Sequence, residues 1–317
     1  MSENIAVSVI CNTYNHEKYI KDALEGFVMQ KTDFKFEVLV HDDASTDNTQ
    51  EIIREYEEKY PEIIKPIYQT ENMRSKGVLY NRVYQDPRIK GKYVAICEGD
   101  DYWTDPQKLQ KQYDFLKNNP EYTLCACSTV WLDMTTGKRL LNKCSTDVDR
   151  DVTMEEIIEE KNGRILQYAT IMVCTDVWKD WPEWRSAFPV GDLPLLIKAA
   201  LKGKIRMLSD CMAVYRFQAP GSWTSKIKNS ERFIDIKTGL CEGLERLNEA
   251  SDFKYDRVIK KRILLNKYTI AIAKGNLKAM RSGELADVYK SRSTKQKIGD
   301  ILKCKTPKIH ALVKKFI

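Results

Sequence analysis

The chain has 317 residues, of which 43% are hydrophobic, with only 10 prolines and 14 glycines. This length and composition suit a folded protein larger than one compact domain. No segment approaches the roughly 18 apolar residues of a membrane-spanning helix, and no signal-peptide pattern opens the sequence. We therefore expect a cytoplasmic protein.

Charge is distributed unevenly along the sequence. The formal net charge is +7, but residues 254–317 contain 18 Lys and Arg against 4 Asp and Glu, which leaves −7 for residues 1–253. An acidic body without a nucleic-acid-reading motif argues against a nucleic acid partner. The basic segment carries apolar residues at helical spacing, and such helices either pack on the body or bind an anionic membrane surface.

The nine cysteines form no CxxC pair, and several lie in apolar, strand-like runs such as YTLCACSTVW. An odd number of cysteines in this setting favours reduced, packed thiols over disulfides or a zinc site. With three histidines in the whole sequence, a histidine-rich metal centre is not expected.

Strand and helix patterns alternate along the first hundred residues. The predicted strands cover residues 5–10, 36–41, 63–69 and 92–97. The predicted helices cover residues 16–30, 49–60 and 78–85. Such alternation indicates a parallel sheet with helical crossovers, and ligands of these sheets bind beyond the carboxyl ends of the strands.

Three polar clusters directly follow predicted strands. They are Asn12-Thr13-Tyr14, Asp42-Asp43 and Glu98-Gly99-Asp100-Asp101. A parallel sheet would bring all three clusters to one rim, where the carboxylates repel one another unless a cation, a proton or hydrogen-bond donors compensate them. Because the sequence has neither a G-x-G-x-x-G fingerprint nor a P-loop, a divalent cation is the natural partner for a diphosphate. The rim therefore predicts a nucleotide-diphosphate site.

Three segments carry a resemblance to a known family. VSVICNTYNHEKYI, FEVLVHDDASTDNT and GKYVAICEGDDYWTDPQKLQKQ resemble, in order and spacing, the signature segments of family 2 glycosyltransferases. The resemblance implies an inverting enzyme with the GT-A fold, a Rossmann-like mixed, mainly parallel sheet flanked by helices. We expect a glycosyltransferase domain at residues 1–225 and a basic helical C-terminal appendage at residues 226–317.

The resemblance implies roles for residues around the nucleotide. Thr13 and Tyr14 match the turn that holds the base and ribose, and Asp43 matches an acidic residue that accepts a hydrogen bond from a uracil-type N–H. Arg74 or Lys76 falls where relatives often carry a basic side chain that contacts phosphate. Judged alone, Tyr14 also fits core packing, Asp43 fits a helix cap, and Arg74 fits a solvated loop charge.

The carboxylates after the fourth strand correspond to the D-x-D element of the family, with Glu98 at its first position. Because Glu is one methylene longer than Asp, we assign the metal and ribose contacts mainly to Asp100 and Asp101. Hard oxygen ligands favour Mn²⁺ or Mg²⁺. Such a cation would neutralise the charge that develops on a departing diphosphate.

Two later segments also resemble the family. FPVGDLPLLIKAALKG matches the segment of the catalytic base, which makes Asp192 the candidate base, although an N-cap is the competing interpretation. YRFQAPGSWTS matches a segment that closes over the donor, with Arg216 reaching phosphate and Trp223 stacking on the sugar. Trp103 either lines the same sugar pocket or packs in the core.

Together these features imply a metal-dependent, inverting transfer from a nucleotide-sugar donor, a UDP-sugar, to a saccharide or lipid-linked saccharide in surface polysaccharide biosynthesis. The basic region would attach the enzyme peripherally to the inner face of the cytoplasmic membrane. Two other classes stay open. A nucleotidyltransferase acting on a sugar phosphate would normally have a Gly-rich first turn, which CNTYN lacks, and a non-catalytic nucleotide- or glycan-binding module would show no turnover.

Overall fold

The structure, a computed structural model, describes residues 5–76, 86–142, 144–160, 166–220 and 231–305. The chain divides into two compact units. The first combines Met1–Trp181 with Gly191–Ser225, and the second combines Pro182–Val190 with Lys226–Ile317.

The first unit is a mixed α/β structure, as the sequence predicts. Within the described residues its strands are β1 Ile5–Thr13, β2 Lys35–Asp42, β3 Ile64–Tyr68, β4 Tyr93–Ile96, β5 Tyr102–Trp103, β6 Tyr122–Asp133, β7 Arg139–Leu141, β8 Arg150–Val152, β9 Met172–Cys174 and β10 Lys204–Phe217. Its helices there are α1 Ile20–Val28, α2 Thr49–Lys59, α3 Lys108–Asn118, α4 Met154–Glu159, α5 Thr175–Trp178 and α6 Asp192–Lys202. The helix predicted at residues 78–85 lies outside the described residues.

These ten strands form one sheet, in which eight follow the order β3-β2-β1-β4-β9-β6-β10-β5, while β7 pairs with β6 and β8 pairs with β10. The pairs β3-β2, β2-β1, β1-β4 and β6-β10 are parallel, whereas β9 is antiparallel to both of its neighbours and β5 is antiparallel to β10. Pro66 lies in β3 at the end of this order, where its missing N–H costs no ladder hydrogen bond on the outer side. The mainly parallel sheet confirms the predicted fold class.

The sheet and helices α1, α2 and α3 enclose the main core of this unit. In β1 the consecutive residues Val9, Ile10 and Cys11 are at most 1% exposed, so both faces of the strand are covered. Helix α1 buries apolar residues three and four positions apart, as a helix does when one stripe faces a core. These residues are Ile20, Ala23, Leu24 and Phe27.

The described part of the second unit is helical. Its helices are α7 Glu231–Ala250, α8 Asp256–Ala273, α9 Leu277–Arg281, α10 Ala286–Ser291 and α11 Thr294–Lys305. A small apolar cluster includes Tyr268 and Met280, and the buried Asp300 accepts hydrogen bonds from the Tyr268 hydroxyl (3.1 Å) and from Arg292 Nε (3.0 Å). Part of the basic segment is therefore packed structure.

The structure joins none of the nine cysteines in a disulfide, and six of them are buried. Of the helices in the described ranges, none has the length and apolar character needed to cross a membrane.

Candidate active site

The three polar clusters meet at one rim of the sheet, as predicted. Strand register sets Thr13 opposite Asp42, and the Asp43 N–H donates to the Thr13 carbonyl (3.0 Å). On the other side of β1, the Gly99 N–H donates to the Asn12 carbonyl (2.9 Å). Backbone hydrogen bonds therefore connect the end of β1 to both acidic segments.

Gly99 belongs to the segment Glu98–Asp101, which we call the carboxylate turn. A Cβ atom at position 99 would lie 2.7 Å from Thr13 Oγ1 and 2.8 Å from Thr13 Cβ, which is closer than non-bonded atoms approach. Only glycine fits this close contact between the carboxylate turn and β1 without a shift of one of them. The glycine thus explains how the carboxylates come so near to the first turn.

The first turn contains two buried polar atoms, Asn12 Oδ1 and Thr13 Oγ1, for which the described part of the chain offers no hydrogen-bond partner. Buried polar groups are normally satisfied, so such atoms at a rim are candidates for contact with a ligand. Tyr14 follows them and is 36% exposed, which excludes the core-packing interpretation of its ring.

The loop after β1 is fixed to the loop after β2. Asn15 adopts a positive φ of 54°, and its Oδ1 accepts a 2.8 Å hydrogen bond from the Thr46 N–H. In return, the Asn15 N–H donates to Ser45 Oγ (2.9 Å), and the His16 N–H donates to Thr49 Oγ1 (2.8 Å). Tyr14 therefore lies in a loop that is hydrogen-bonded, through Asn15 and His16, to the segment after β2.

Asp42 and Asp43 are adjacent but have different surroundings. Asp42 is fully buried and accepts hydrogen bonds from the Ser45 N–H (3.0 Å) and from Gln50 Nε2 (2.7 Å), so its contacts are internal to the fold. Asp43 is half-buried, and its two carboxylate oxygens accept the N–H groups of Met73 (2.8 Å) and Arg74 (3.2 Å). Asp43 therefore fixes the loop after β3, which contains Met73 and Arg74, and does not cap helix α2.

Arg74 is exposed, and its backbone N–H is the group that contacts Asp43. The structure thus brings Arg74 to the same rim as Thr13 and Asp43 through main-chain contacts.

The three acidic residues of the carboxylate turn differ in exposure. Glu98 and Asp100 are half-buried, whereas Asp101 is only 2% exposed, and its Oδ1 accepts a 2.8 Å hydrogen bond from the Arg216 N–H. Burial and the neighbouring Asp100 charge raise the pKa of Asp101 well above its ordinary value. Across the described ranges, no group of three or more His, Cys, Asp or Glu side chains is arranged to hold a metal ion by itself.

Asp192 is the first residue of helix α6, and Gly191 is its N-cap, so the N-cap interpretation of Asp192 is wrong. Its Oδ1 accepts a 2.8 Å hydrogen bond from the Leu193 N–H, and the residue is half-buried. A carboxylate in the first turn also interacts favourably with the helix dipole. Helix α6 packs on β6 and β10 within the first unit, which also contains the carboxylate turn.

Trp103 does not line a sugar pocket. It is 2% exposed, its indole N–H donates to the Ala169 carbonyl (2.8 Å), and its ring packs edge-on against Phe27 with centroids 4.9 Å apart. The buried Lys108 places its Nζ 4.2 Å from the centroid of the Trp103 ring. A large aromatic side chain with satisfied internal contacts is core structure, which confirms the packing alternative.

Arg216 also differs from its sequence-based assignment. It lies in strand β10 rather than in a mobile loop, it is 6% exposed, and its guanidinium contacts Asp22 and the Asp100 carbonyl. Trp223, the other residue assigned to the donor-closing segment, lies outside the described residues.

The sequence reasoning missed the Asp22–Arg216 pair and the burial of Lys108. Asp22 and Arg216 are separated by 194 positions, and no local pattern marks such a pair. Lys108 is fully buried and donates to Gln112 Oε1 (2.7 Å), although a lysine early in a helix normally indicates an exposed face. Buried polar side chains of this kind are visible only once the fold is known.

Comparisons with known proteins agree with this architecture. The family model described as Glycosyl transferase family 2 matches residues 8–220. The uncharacterized protein Rv1520 of Mycobacterium tuberculosis is 34% identical over 248 residues, covering 76% of this chain and 67% of that protein. The Bacillus subtilis protein TuaG, whose name refers to a teichuronic acid biosynthesis glycosyltransferase, is 31% identical over 216 residues, covering 66% of this chain and 78% of TuaG.

Two solved structures share the fold. Residues 1–349 of S. aureus TarS, crystallised with UDP-GlcNAc, align with a TM-score of 0.59 at 20% identity over 95% of this chain and 79% of that one. The mannosyltransferase PcManGT of Pyrobaculum calidifontis, in complex with GDP-Man and Mn²⁺, aligns with a TM-score of 0.55 at 18% identity over 100% and 90%. The family match and this fold identify the chain as a family 2 glycosyltransferase with the GT-A fold.

Proposed function

We propose that this enzyme transfers a sugar from a UDP-sugar to a saccharide hydroxyl, with inversion and with the help of a divalent cation. The observation that carries the proposal is the junction of three segments at one rim. The first turn, with unpartnered polar atoms on Asn12 and Thr13 within the described chain, lies between Asp43 and the carboxylate turn. In a nucleotide site, polar acceptors can bind the base N–H and the ribose hydroxyls, an exposed ring can stack on the base, and carboxylates can hold a cation that binds the diphosphate.

The donor nucleotide is assigned to the first turn and the loop after β2. Thr13 and the exposed Tyr14 would hold the ribose and base, and Asp43 would accept from the base N–H with lone pairs beyond those used by Met73 and Arg74. The Arg74 side chain would contact phosphate. The UDP-GlcNAc bound by TarS supports a uridine nucleotide, whereas the GDP-Man bound by PcManGT supports the wider class of nucleotide sugars.

The carboxylate turn fits a divalent cation that is shared with the donor. Mg²⁺ and Mn²⁺ are commonly held by one or two carboxylates together with substrate phosphate oxygens, so a cage of three protein ligands is not required. The carboxylate of Asp100, which accepts no hydrogen bond from the described residues, and the second oxygen of Asp101 would be the ligands, with Glu98 beside them. When bound, the cation would stabilise the negative charge of the departing diphosphate. The Mn²⁺ in the PcManGT complex supports this assignment.

Asp192 is the proposed general base. It would take the proton of the acceptor hydroxyl while that oxygen attacks the anomeric carbon, and the nucleoside diphosphate would leave from the opposite face. Proton transfer of this kind typically contributes about a hundred- to ten-thousand-fold to the rate. We assign this chemistry to residues 1–225 and treat residues 226–317 as the appendage.

The acceptor is proposed to be a saccharide or a lipid-linked saccharide of surface polysaccharide assembly. The name of the relative TuaG, which refers to teichuronic acid biosynthesis, supports an acceptor of this kind. The net +14 of residues 254–317 supports peripheral attachment to the inner face of the cytoplasmic membrane, where anionic lipids attract basic side chains.

The test is a thermal-shift panel of nucleotide sugars with Mn²⁺ or with a chelator, followed by turnover of the best donor with saccharide acceptors. A true donor raises the melting temperature only with the cation, because ligands that bind the native state stabilise it. Asp192→Asn should still bind this donor but should lose transfer by at least about a hundredfold. The proposal would be contradicted if no nucleotide sugar in the panel raised the melting temperature, or if Asp192→Asn transferred sugar at the wild-type rate.

A further inference from the structure

Arg216 is connected to the carboxylate turn by two separate hydrogen bonds. Its backbone N–H donates to Asp101 Oδ1 (2.8 Å), and its Nη1 donates to the carbonyl oxygen of Asp100 (2.9 Å). Its Nη2 donates to the carboxylate of Asp22, which lies in the first turn of α1. Because a buried guanidinium is costly unless its donors are satisfied, these contacts specify one position for the side chain.

Two tyrosine rings pack on the same guanidinium. Its central carbon lies 4.5 Å from the ring centroid of Tyr102 and 5.1 Å from that of Tyr19. Tyr19 directly precedes helix α1, and Tyr102 directly follows Asp101. Cation–π contacts of this kind add to the hydrogen bonds and depend on the planar shape of arginine. The side chain therefore joins the start of α1 to the carboxylate turn.

A guanidinium that binds a donor phosphate has to direct its N–H groups to the ligand. In Arg216, one N–H of Nη1 serves the Asp100 carbonyl and one N–H of Nη2 serves the Asp22 carboxylate, and the residue is only 6% exposed, so little of the guanidinium can reach a ligand. We propose that Arg216, anchored by Asp22, is a positioning residue that fixes the carboxylate turn and does not itself contact the donor. The ligand of the carboxylate turn rests on the proposed function. The contacts by which Arg216 joins β10, the start of α1 and the carboxylate turn do not.

Asp22→Asn separates the two roles of Arg216. The substitution weakens the anchor on the far side of the guanidinium and changes no atom of the carboxylate turn. If Arg216 positions the turn, the variant should loosen residues 98–103 and weaken donor binding. If Arg216 instead contacts phosphate, release from Asp22 should leave donor affinity unchanged or raise it. Arg216→Lys keeps the charge but loses the planar fork and should act in the same direction as Asp22→Asn.

The measurement is hydrogen–deuterium exchange of a peptide covering residues 98–103 in the full-length protein, together with calorimetric titration of UDP in the presence of Mn²⁺. Loss of a charge-assisted hydrogen bond should speed exchange in this peptide, and weaken UDP binding, on the order of tenfold. Asp33→Asn is the matched control, since Asp33 is an exposed carboxylate that accepts from Gln110 and lies outside this network.

Faster exchange in Asp22→Asn and Arg216→Lys, but not in Asp33→Asn, supports the positioning role. Unchanged exchange in both variants overturns it. A loss of UDP affinity in Arg216→Lys without any loss in Asp22→Asn also overturns it. If the wild-type protein binds no nucleotide but both variants exchange faster in residues 98–103, the proposed function fails and the positioning of the turn stands.

Discussion

The Gly99 N–H donates a 2.9 Å hydrogen bond to the Asn12 carbonyl, so the carboxylate turn is attached directly to the end of strand β1. At the same place, the hydrogen atoms of Gly99 face Thr13 without room for a Cβ atom. The distance between the proposed nucleotide contacts and the proposed metal ligands therefore depends on one glycine.

Gly99→Ala should lower both the stability of the protein and its affinity for the donor. The added methyl group would meet Thr13 Oγ1 at 2.7 Å and push the carboxylate turn away from β1, at a cost of about 1–3 kcal/mol in unfolding free energy. Urea unfolding measures the stability, and calorimetry should find UDP affinity lowered at least about tenfold. Gly299→Ala in α11 is the control, because nothing lies within 4 Å of its Cβ position and helical alanine is favoured by about 1 kcal/mol. If Gly99→Ala and the wild type bound UDP with equal affinity, this result would argue against a nucleotide site formed jointly by the first turn and the carboxylate turn.

Asp42→Asn should mainly lower stability, whereas Asp43→Asn should mainly lower UDP affinity. Asp42 is buried and accepts from Ser45 and Gln50, so loss of its charge should destabilise the fold by about 1–3 kcal/mol. Asp43 is the proposed acceptor for the base N–H, so its substitution should mainly lower UDP affinity. Paired urea unfolding and UDP titration of the two variants test this, and a stable Asp42→Asn that loses UDP binding would reverse the assignment.

Lys108 should make stability depend on pH in a defined direction. Burial lowers the pKa of Lys108 from 10.5, so the folded protein disfavours the charged form that the unfolded chain retains. This penalty is fully present at low pH and is relieved as the pH rises toward the unfolded pKa. Relative to Lys108→Met, the wild type should gain unfolding free energy as the pH rises toward 10.5, the ordinary lysine pKa. A difference that stays constant as the pH approaches this value would mean that burial does not lower the pKa of Lys108.

Membrane attachment through the basic appendage should be electrostatic. Lys274 and Lys295 are exposed in the second unit, and their replacement by Glu should lower binding to anionic vesicles at least about thirtyfold, since each of the two basic side chains is worth about 1 kcal/mol at such a surface. Co-sedimentation with anionic and neutral vesicles at several salt concentrations measures this binding. Reversal of the exposed Lys59 and Lys117 in the first unit is the control, and equal pelleting by neutral vesicles would contradict the electrostatic account.

The sequence predicted the features that depend on local pattern. Alternating apolar runs located β1, β2, β3, β4 and the helices between the first three of these strands, and the rule for parallel sheets correctly brought Thr13, Asp43 and Gly99 to one rim. The start of α6 at Asp192 was likewise visible from Pro194 and the apolar spacing behind it.

The features that escaped prediction depend on tertiary contacts. Trp103 was compatible with a sugar pocket until the structure placed its indole against Ala169 and Phe27. Arg216 was assigned to a mobile loop because nothing in its own segment reveals the contact with Asp22 or the extension of β10 to Phe217. Aromatic and basic side chains near a motif fit both packing and binding, and long-range partners decide between these roles.

The most direct test of the proposed rim is calorimetric titration of UDP into the wild-type protein and Asp100→Asn, each with Mn²⁺ and with a chelator. We expect the wild type to bind UDP in Mn²⁺ and to bind it at least about tenfold more weakly in the chelator, and we expect Asp100→Asn to bind equally weakly under both conditions. UDP affinity that is the same in the chelator as in Mn²⁺, or the same in Asp100→Asn as in the wild type, would contradict a nucleotide held through a cation on the carboxylate turn.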